Sequence, residues 1–356
     1  MNEPARQTHT ASVLHYLHNM YQEDRRSRAC RCASAAEHTT WQQEARSALR
    51  QLIGLPSIAA VQGDYRPTVE LYDVQEEHGF SRQQGVLHSE PGMDISFWLL
   101  RPHQAGPYPL GLFPHGHQDW GMNTYAGVFT TDEARTRALA EDRDVAVQAA
   151  RRGYLAIAPA TRGFAPAAVP DLNERHGGRH CRSQLIHCLL AGRTAIGERV
   201  WDLSNLLDWG LALPEVDARR VLMMGNSGGG MATLYTAACE PRIGVAVPSC
   251  SFCTLVGLNG LVHHCDCNAV PGVLTFGEFH DIAGLIAPRH LLTVNGRQDP
   301  LFPLSEVERA VSGLRRIYAT ADAAGRYEHR WGDYGHRFYA DLMWPFIDAA
   351  MTQRAG

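Results

Sequence analysis

The chain is expected to fold as an α/β sandwich, a mainly parallel central sheet covered by helices on both faces, preceded by an N-terminal helical extension. Three observations predict this. Short apolar strand candidates alternate with helical stretches over most of the sequence, which implies crossover connections and hence parallel strands. The 356 residues suffice for one large α/β domain or two ordinary ones. A hydrophobic fraction of 45% with 20% charged residues is that of a soluble protein with a substantial buried core.

The elements follow in order. The first fifty-odd residues are polar and helix-prone. Trp41, Ala45, Leu49 and Leu52 recur at helical spacing before Gly54 and Pro56 stop the run. Residues 1–65 are therefore read as a helical extension packed on the main domain, residues 66–356, and not as a separate functional unit. Val69 to Val74, Gln83 to His88 and Asp94 to Leu100, separated by His78-Gly79 and Pro91-Gly92, read as a mostly antiparallel sheet edge. Further strands are expected at Pro109–Pro114, Tyr154–Ala158, Arg220–Met224, Ile243–Val247, His290–Asn295 and Tyr327–Trp331. Helices are expected at Val145–Arg152, ended by Gly153, along the Val200, Leu203, Leu207, Leu211 face, and at Ser305–Ala323. A last helix closes the chain. Thr161 to Ala195 is too long for an ordinary connection. It is expected to decorate the ligand end of the sheet, where long loops carry function.

Several function classes are disfavoured. A formal net charge of −4 leaves no basic footprint for nucleic acid or an anionic membrane surface. Met1 to Met20 lacks the unbroken apolar run of a signal peptide, and no stretch reaches the roughly 18 apolar residues of a membrane span. A cytoplasmic location is the expectation. The nine cysteines, odd in number, read as thiols and not as a disulfide framework. Cys30-x-Cys32 and His263-His264-Cys265-Asp266-Cys267 resemble halves of a zinc site, but neither finds a partner pair at suitable spacing. No metal is expected, and buried unreactive cysteines are the preferred reading.

The chemistry is expected around Ser227. Arg220 to Met224 is an apolar strand, Gly225-Asn226-Ser227-Gly228-Gly229 a glycine-studded turn, and the continuation a helix. This is the setting of a nucleophile elbow, where side chains at 225 and 229 would collide and the hydroxyl is held above the sheet. The following helix points its positive end at the developing charge. A phosphate-binding loop is the rival, but it would want Lys after the glycines, where Met231 stands.

A serine hydroxyl needs a base, and in this setting acid and histidine follow in that order along the chain. Asp299 is chosen as the acid because it lies just past the buried strand ending at Asn295, followed by Pro300. Asp281 reads as helical, and Asp333 precedes the histidine too closely. His336 is chosen among eighteen histidines because, apart from His329 inside the last strand, no other follows Asp299. The two oxyanion donors expected are the backbone N–H groups of Gly228 and of His117, the latter in His115-Gly116-His117 after an early strand. A metal-binding H-x-H is the rival reading there.

With these residues in view, the stretch from about Trp41 to the C-terminus resembles the acetyl-xylan-esterase-like and dienelactone-hydrolase-like bacterial branch of the α/β-hydrolases. The resemblance rests on Pro114-His-Gly-His, Leu190-Ala-Gly-Arg-Thr-Ala-Ile-Gly-Glu-Arg-Val-Trp-Asp and Gly225-Asn-Ser-Gly-Gly-Gly. It rests equally on His264-Cys-Asp-Cys-Asn with Pro271-Gly272, Asp281-Ile-Ala-Gly-Leu-Ile-Ala-Pro-Arg and Asn295-Gly-Arg-Gln-Asp-Pro-Leu-Phe-Pro. It implies triad roles for Ser227, Asp299 and His336 and oxyanion positions for Gly228 and His117. His290 stands where such sequences more often carry proline. Dienelactone hydrolases proper use a cysteine nucleophile, so Ser227 departs from that pattern and favours ordinary ester hydrolysis.

The expected function is a serine carboxylic-ester hydrolase on short-acyl, acetyl-type esters, with no cofactor. Its partner is a small-molecule ester, with neither nucleic acid nor membrane; a homo-oligomer is compatible with this. A serine exopeptidase or amidase is the first rival, although such enzymes usually carry a gating domain for which this chain has no room. A non-catalytic binding protein on the same fold is the second.

Overall fold

A computed structural model describes residues 10–21, 25–257, 260–262 and 264–355. The reading of residues 1–9 as lacking an apolar leader and of His263 as a ligand candidate falls outside these. Among the described residues the chain runs through helices α1 (Thr10–Met20), α2 (Ala35–Leu52) and α3 (Leu55–Gln62) before the first strand. The strands are β1 (Thr68–Glu77), β2 (Phe80–Glu90), β3 (Met93–Pro102), β4 (Tyr108–Leu112), β5 (Leu155–Pro159), β6 (Val216–Asn226), β7 (Val245–Ser249), the two-residue β8 (Val256–Gly257) and β9 (Gly260–Leu261), β10 (His290–Gly296) and β11 (Tyr327–Gly332). Between β4 and β5 lie α4 (Gly121–Tyr125), α5 (Asp132–Ala140) and α6 (Val145–Arg151). Then come α7 (His180–Leu190), α8 (Ala195–Leu211), α9 (Gly228–Cys239), α10 (Val273–Phe276), α11 (Phe279–Gly284), α12 (Leu304–Thr320) and α13 (Ala340–Ala355).

Nine strands form one sheet in the order β1-β2-β3-β5-β4-β6-β7-β10-β11. β1, β2, β3 and β5 pair antiparallel, and from β5 onward every pairing is parallel. β4, β5, β7 and β10 are buried along their whole length, as strands covered on both faces must be. This is the α/β-hydrolase arrangement, with the antiparallel edge where the sequence places it.

Local chemistry accounts for the helix starts. The Ser34 hydroxyl accepts the Glu37 N–H at the head of α2, and the Thr194 hydroxyl accepts the Gly197 N–H at the head of α8. Gly153, at φ 87°, follows α6 where the sequence predicts its end. Ala45, Leu49 and Ile53 of the α2 region belong to the same continuous core as the sheet.

The segment 161–195 departs from expectation. It is not all loop: residues 180–190 form α7. Its buried residues are Cys181, Ser183, Gln184, Leu185 and Cys188, and all but Ser183 fall at the spacing of an amphipathic helix. Cysteine and glutamine carry that periodicity where leucines would have announced it.

Candidate active site

Ser227 joins β6 to α9 at φ 58° and ψ −122°, a conformation L-residues rarely adopt. The turn is tight because the backbone of the β4 exit presses on it. A Cβ on Gly229 would stand 2.0 Å from the Pro114 carbonyl oxygen, and one on Gly225 would stand 2.5 Å from Gly229 and 2.6 Å from that same oxygen. Only glycine fits at either position. The Ser227 N–H is tied to the Ser249 carbonyl at 2.9 Å, and its own carbonyl accepts the Met231 N–H, fixing the residue between β7 and α9. Its hydroxyl therefore sits at the positive end of a twelve-residue helix.

Asp299 lies three residues beyond β10, with its side chain fully enclosed. One carboxylate oxygen, Oδ1, accepts the Leu301 N–H at 3.0 Å, which leaves Oδ2 to meet Nδ1 of His336 at 2.6 Å. His336 sits in the loop after β11. With Nδ1 donating to the carboxylate, Nε2 is the nitrogen left to act as a base. No hydrogen bond joins His336 to the Ser227 hydroxyl; both residues line one cavity of about 300 Å³, and such contacts commonly tighten only around substrate.

Both expected oxyanion donors border this cavity. The Gly228 N–H is in the first turn of α9 and has no intrahelical acceptor. Neither it nor the His117 N–H meets an acceptor among the described residues. Gly116 allows the two loops to touch, since a Cβ there would lie 2.7 Å from the Asn226 carbonyl oxygen and 3.1 Å from the Gly228 nitrogen. The remaining wall is mixed: Tyr125, Met231, Leu301 and Phe302 supply apolar surface and Arg143 a cation.

The competitors have other employment. Asp281 is the third residue of α11, where its carboxylate takes the Glu278 N–H and the Cys30 N–H. His329 is in β11 with Nδ1 on the Thr293 hydroxyl, and burial pushes its pKa down to about 4. Asp333 is exposed. His115 is wholly buried. Its Nδ1 meets the Gly116 carbonyl at 2.9 Å and its Nε2 accepts the Thr161 N–H at 3.0 Å, so both ring nitrogens are engaged and an H-x-H chelate is excluded.

The expectation that neither cysteine pair finds partners fails for Cys265 and Cys267. Cys265 and Cys267 do have partners: the fold brings Cys181 of α7 and the His117 side chain to them. These residues lie 84 and 150 positions away, so spacing rules for paired ligands could not have found them. Cys30 and Cys32 gather no third ligand among the described residues.

No family model matches the chain. A Bacillus subtilis (strain 168) protein named "Putative hydrolase YtaP" is 27% identical over 282 residues, which cover 77% of this chain and 88% of that protein. Among solved structures, a "putative acetyl xylan esterase" of Bacteroides fragilis NCTC 9343 superposes with a TM-score of 0.75 at 16% identity, covering 98% of this chain and 97% of that one. A glucuronoyl esterase from Solibacter usitatus gives 0.60 at 14% identity, with 87% and 92% covered. Acetyl xylan esterase 1 from Thermoanaerobacterium sp. JW/SL YS485 gives 0.55 at 18% identity, with 88% and 94% covered. At these identities the likeness establishes the α/β-hydrolase fold. Among the described residues, no helix is long and apolar enough to cross a membrane.

Proposed function

We propose that the chain is a serine carboxylic-ester hydrolase that works through an acyl-serine intermediate on short-acyl esters, sugar esters foremost. The observation that carries this reading is the 2.6 Å bond from His336 to an enclosed Asp299 at the cavity that also holds Ser227 and two free backbone N–H groups.

The steps follow from the groups present. Ser227 Oγ attacks the ester carbonyl as His336 Nε2 takes its proton. Asp299 keeps the imidazole in the Nδ1–H tautomer and offsets the charge it gains. Gly228 and His117 donate to the oxyanion, each such donor being worth about 3 kcal/mol of transition-state stabilisation. The imidazolium then protonates the departing alcohol, and water, deprotonated by the same nitrogen, releases the acid. A cavity of about 300 Å³ has room for an acetyl-sized acyl group and part of a small alcohol. The names of the structural neighbours, acetyl xylan and glucuronoyl esterases, have an ester on a sugar in common, which supports carbohydrate esters over lipid ones.

Ser227→Ala should lower kcat on p-nitrophenyl acetate by roughly 10⁴–10⁶-fold with an unchanged circular dichroism spectrum. Near-normal turnover in that variant would remove Ser227 from the mechanism. Lengthening the acyl chain from acetyl to octanoyl should cut kcat/KM. An aminoacyl p-nitroanilide turned over as fast as the acetyl ester would instead mark a peptidase.

A further inference from the structure

Behind the oxyanion loop, three cysteines and a histidine from separate parts of the chain converge. Cys181 comes from α7, Cys265 and Cys267 flank Asp266 in the loop after β9, and His117 follows β4. Their three sulfurs and one ring nitrogen all lie within 4.8 Å of one another. The Sγ atoms of Cys181 and Cys265 are 3.8 Å apart, those of Cys265 and Cys267 are 3.6 Å apart, and Cys267 Sγ is 3.3 Å from His117 Nε2.

Those three separations approach the edges of a tetrahedral metal site. Zinc bonds of about 2.3 Å to sulfur and about 2.05 Å to nitrogen, at tetrahedral angles, place two sulfurs about 3.8 Å apart and a sulfur and a nitrogen about 3.6 Å apart. A disulfide needs an S–S distance near 2.05 Å and joins two sulfurs, not three and an imidazole.

A second observation is electrostatic. Arg199 of α8 is buried to 1% exposure, and no carboxylate among the described residues lies within ion-pairing distance of its guanidinium. It donates to the Arg162 carbonyl and to Asn268 Oδ1, next in sequence to Cys267, and stacks on Phe164, while its Nη2 meets no hydrogen-bond acceptor among the described residues. The same Asn268 Oδ1 is 3.7 Å from the Cys267 sulfur, so the guanidinium stands beside the cysteine cluster. Three thiolates, one neutral imidazole and one divalent cation carry a net charge of −1, which a buried guanidinium would balance.

The surroundings are those of a staple. Phe164, Cys181 and Cys267 form a small apolar cluster separate from the main core, too small to hold three segments together by burial alone. An ion pair from Arg182 to Asp266 already joins α7 to the two-cysteine loop beside the cluster. His117 and Cys265 line the catalytic cavity on one side and a second cleft of about 320 Å³ on the other. The cluster is thus a partition in the active-site wall, with that second cleft as a route of entry.

We propose that Cys181, Cys265, Cys267 and His117 Nε2 form a closed, structural Zn²⁺ site that pins α7 and the 264–272 loop to the oxyanion loop. Four protein ligands leave no open position, so the metal takes no part in ester chemistry. Its effect on catalysis, which rests on the esterase reading, is indirect: a ligated imidazole holds the His117 backbone, and hence its N–H, against the cavity. The metal content is independent of that reading.

The test is elemental analysis of full-length protein purified under reducing conditions without added chelator, then gel-filtered. About one zinc per chain is expected, released stoichiometrically when a mercurial titrates about three thiols. Cobalt substitution should give thiolate-to-cobalt charge transfer with the strong visible bands of a tetrahedral site. C265S/C267S should lose at least about nine-tenths of the metal, since two of four ligands go, while the control C30S/C32S should keep it all. Should the double variant not fold, mercurial release and the cobalt spectrum of the native chain still decide the question. Wild-type protein carrying no bound zinc and unable to take up cobalt overturns the proposal, as does full zinc content in a folded C265S/C267S chain. A native disulfide among the three cysteines, seen as a two-proton mass deficit in unreduced protein, overturns it too. If zinc is present but Ser227→Ala leaves esterase activity intact, the site stands and the catalytic reading falls.

Discussion

Position along the chain singles out Asp299 and His336, and the fold places their side chains 2.6 Å apart. Asp299→Asn keeps the shape but offers an NH₂ where an acceptor is needed, turning the imidazole to the wrong tautomer. A loss of about 10⁴-fold in kcat at neutral pH is expected, with stability nearly unchanged. Steady-state kinetics beside a thermal melt separates the two effects. His115 makes a different prediction. Burial, the main cause, pushes its pKa down to about 4 from an ordinary value of 6.5. Protonation of Nε2 would also break its bond to the Thr161 N–H. The folded state therefore excludes a proton that the unfolded chain accepts between those two values. The associated stability is complete above about pH 6.5 and is lost as pH falls, by up to about 1.4 kcal/mol per pH unit. Urea midpoints measured from pH 7 to pH 4.5 should decline, and His115→Gln, though less stable at pH 7, should decline less steeply.

At the scale of elements, the elbow and the cysteine cluster show what a sequence can and cannot carry. Strand, glycine-rich turn and helix are contiguous from Arg220 to Cys239, and the glycines record a collision within that unit and with one neighbour. Such a unit is legible because its constraint is local. The Cys3His cluster depends on three segments that meet only once the sheet is assembled, so its four residues look like ordinary core cysteines and a loop histidine when read in line. Helix α7 was hidden for a related reason, its buried face being written in Cys and Gln. The collision at the elbow is testable by itself. In Gly229→Ala the new methyl carbon would sit 2.0 Å from the Pro114 carbonyl oxygen, a backbone atom with no freedom to swing aside. The β4 exit must move, taking His117 with it. A stability loss of about 1–3 kcal/mol is expected, together with a fall in kcat larger than that of Gly230→Ala, whose nearest neighbour is the Ser251 side-chain oxygen. Equal effects of the two substitutions on kcat would argue against the β4 exit as the sensitive element.

At the scale of the whole molecule, the N-terminal helices are integral to the α/β body. Ala45, Leu49, Ile53 and Ile58 are fully buried in the same core as the central strands. The contact is also polar. Arg46 donates to the Ala238 and Leu285 carbonyls, capping groups at the ends of α9 and α11, and Gln42 donates to Leu285 and Ala287. Thr194 and the Ile53 carbonyl share a 2.7 Å bond where α8 begins, and the Ile53 carbonyl oxygen would stand 1.9 Å from a Cβ on Gly197. The composition shift near residue 65 marks a change of secondary structure, not an edge of packing. Leu49→Ala should therefore cost about 2–5 kcal/mol, the range for an emptied leucine site in a packed core. The loss should appear as a lower midpoint for one transition monitored both by far-UV circular dichroism and by esterase activity, with the two curves still coincident. A chain beginning at residue 66 exposes the back of α8, α9 and α11 and should not reach a folded state. If that truncated chain were instead soluble, active and melted at the parent midpoint, the first three helices would be an accessory and no part of the core.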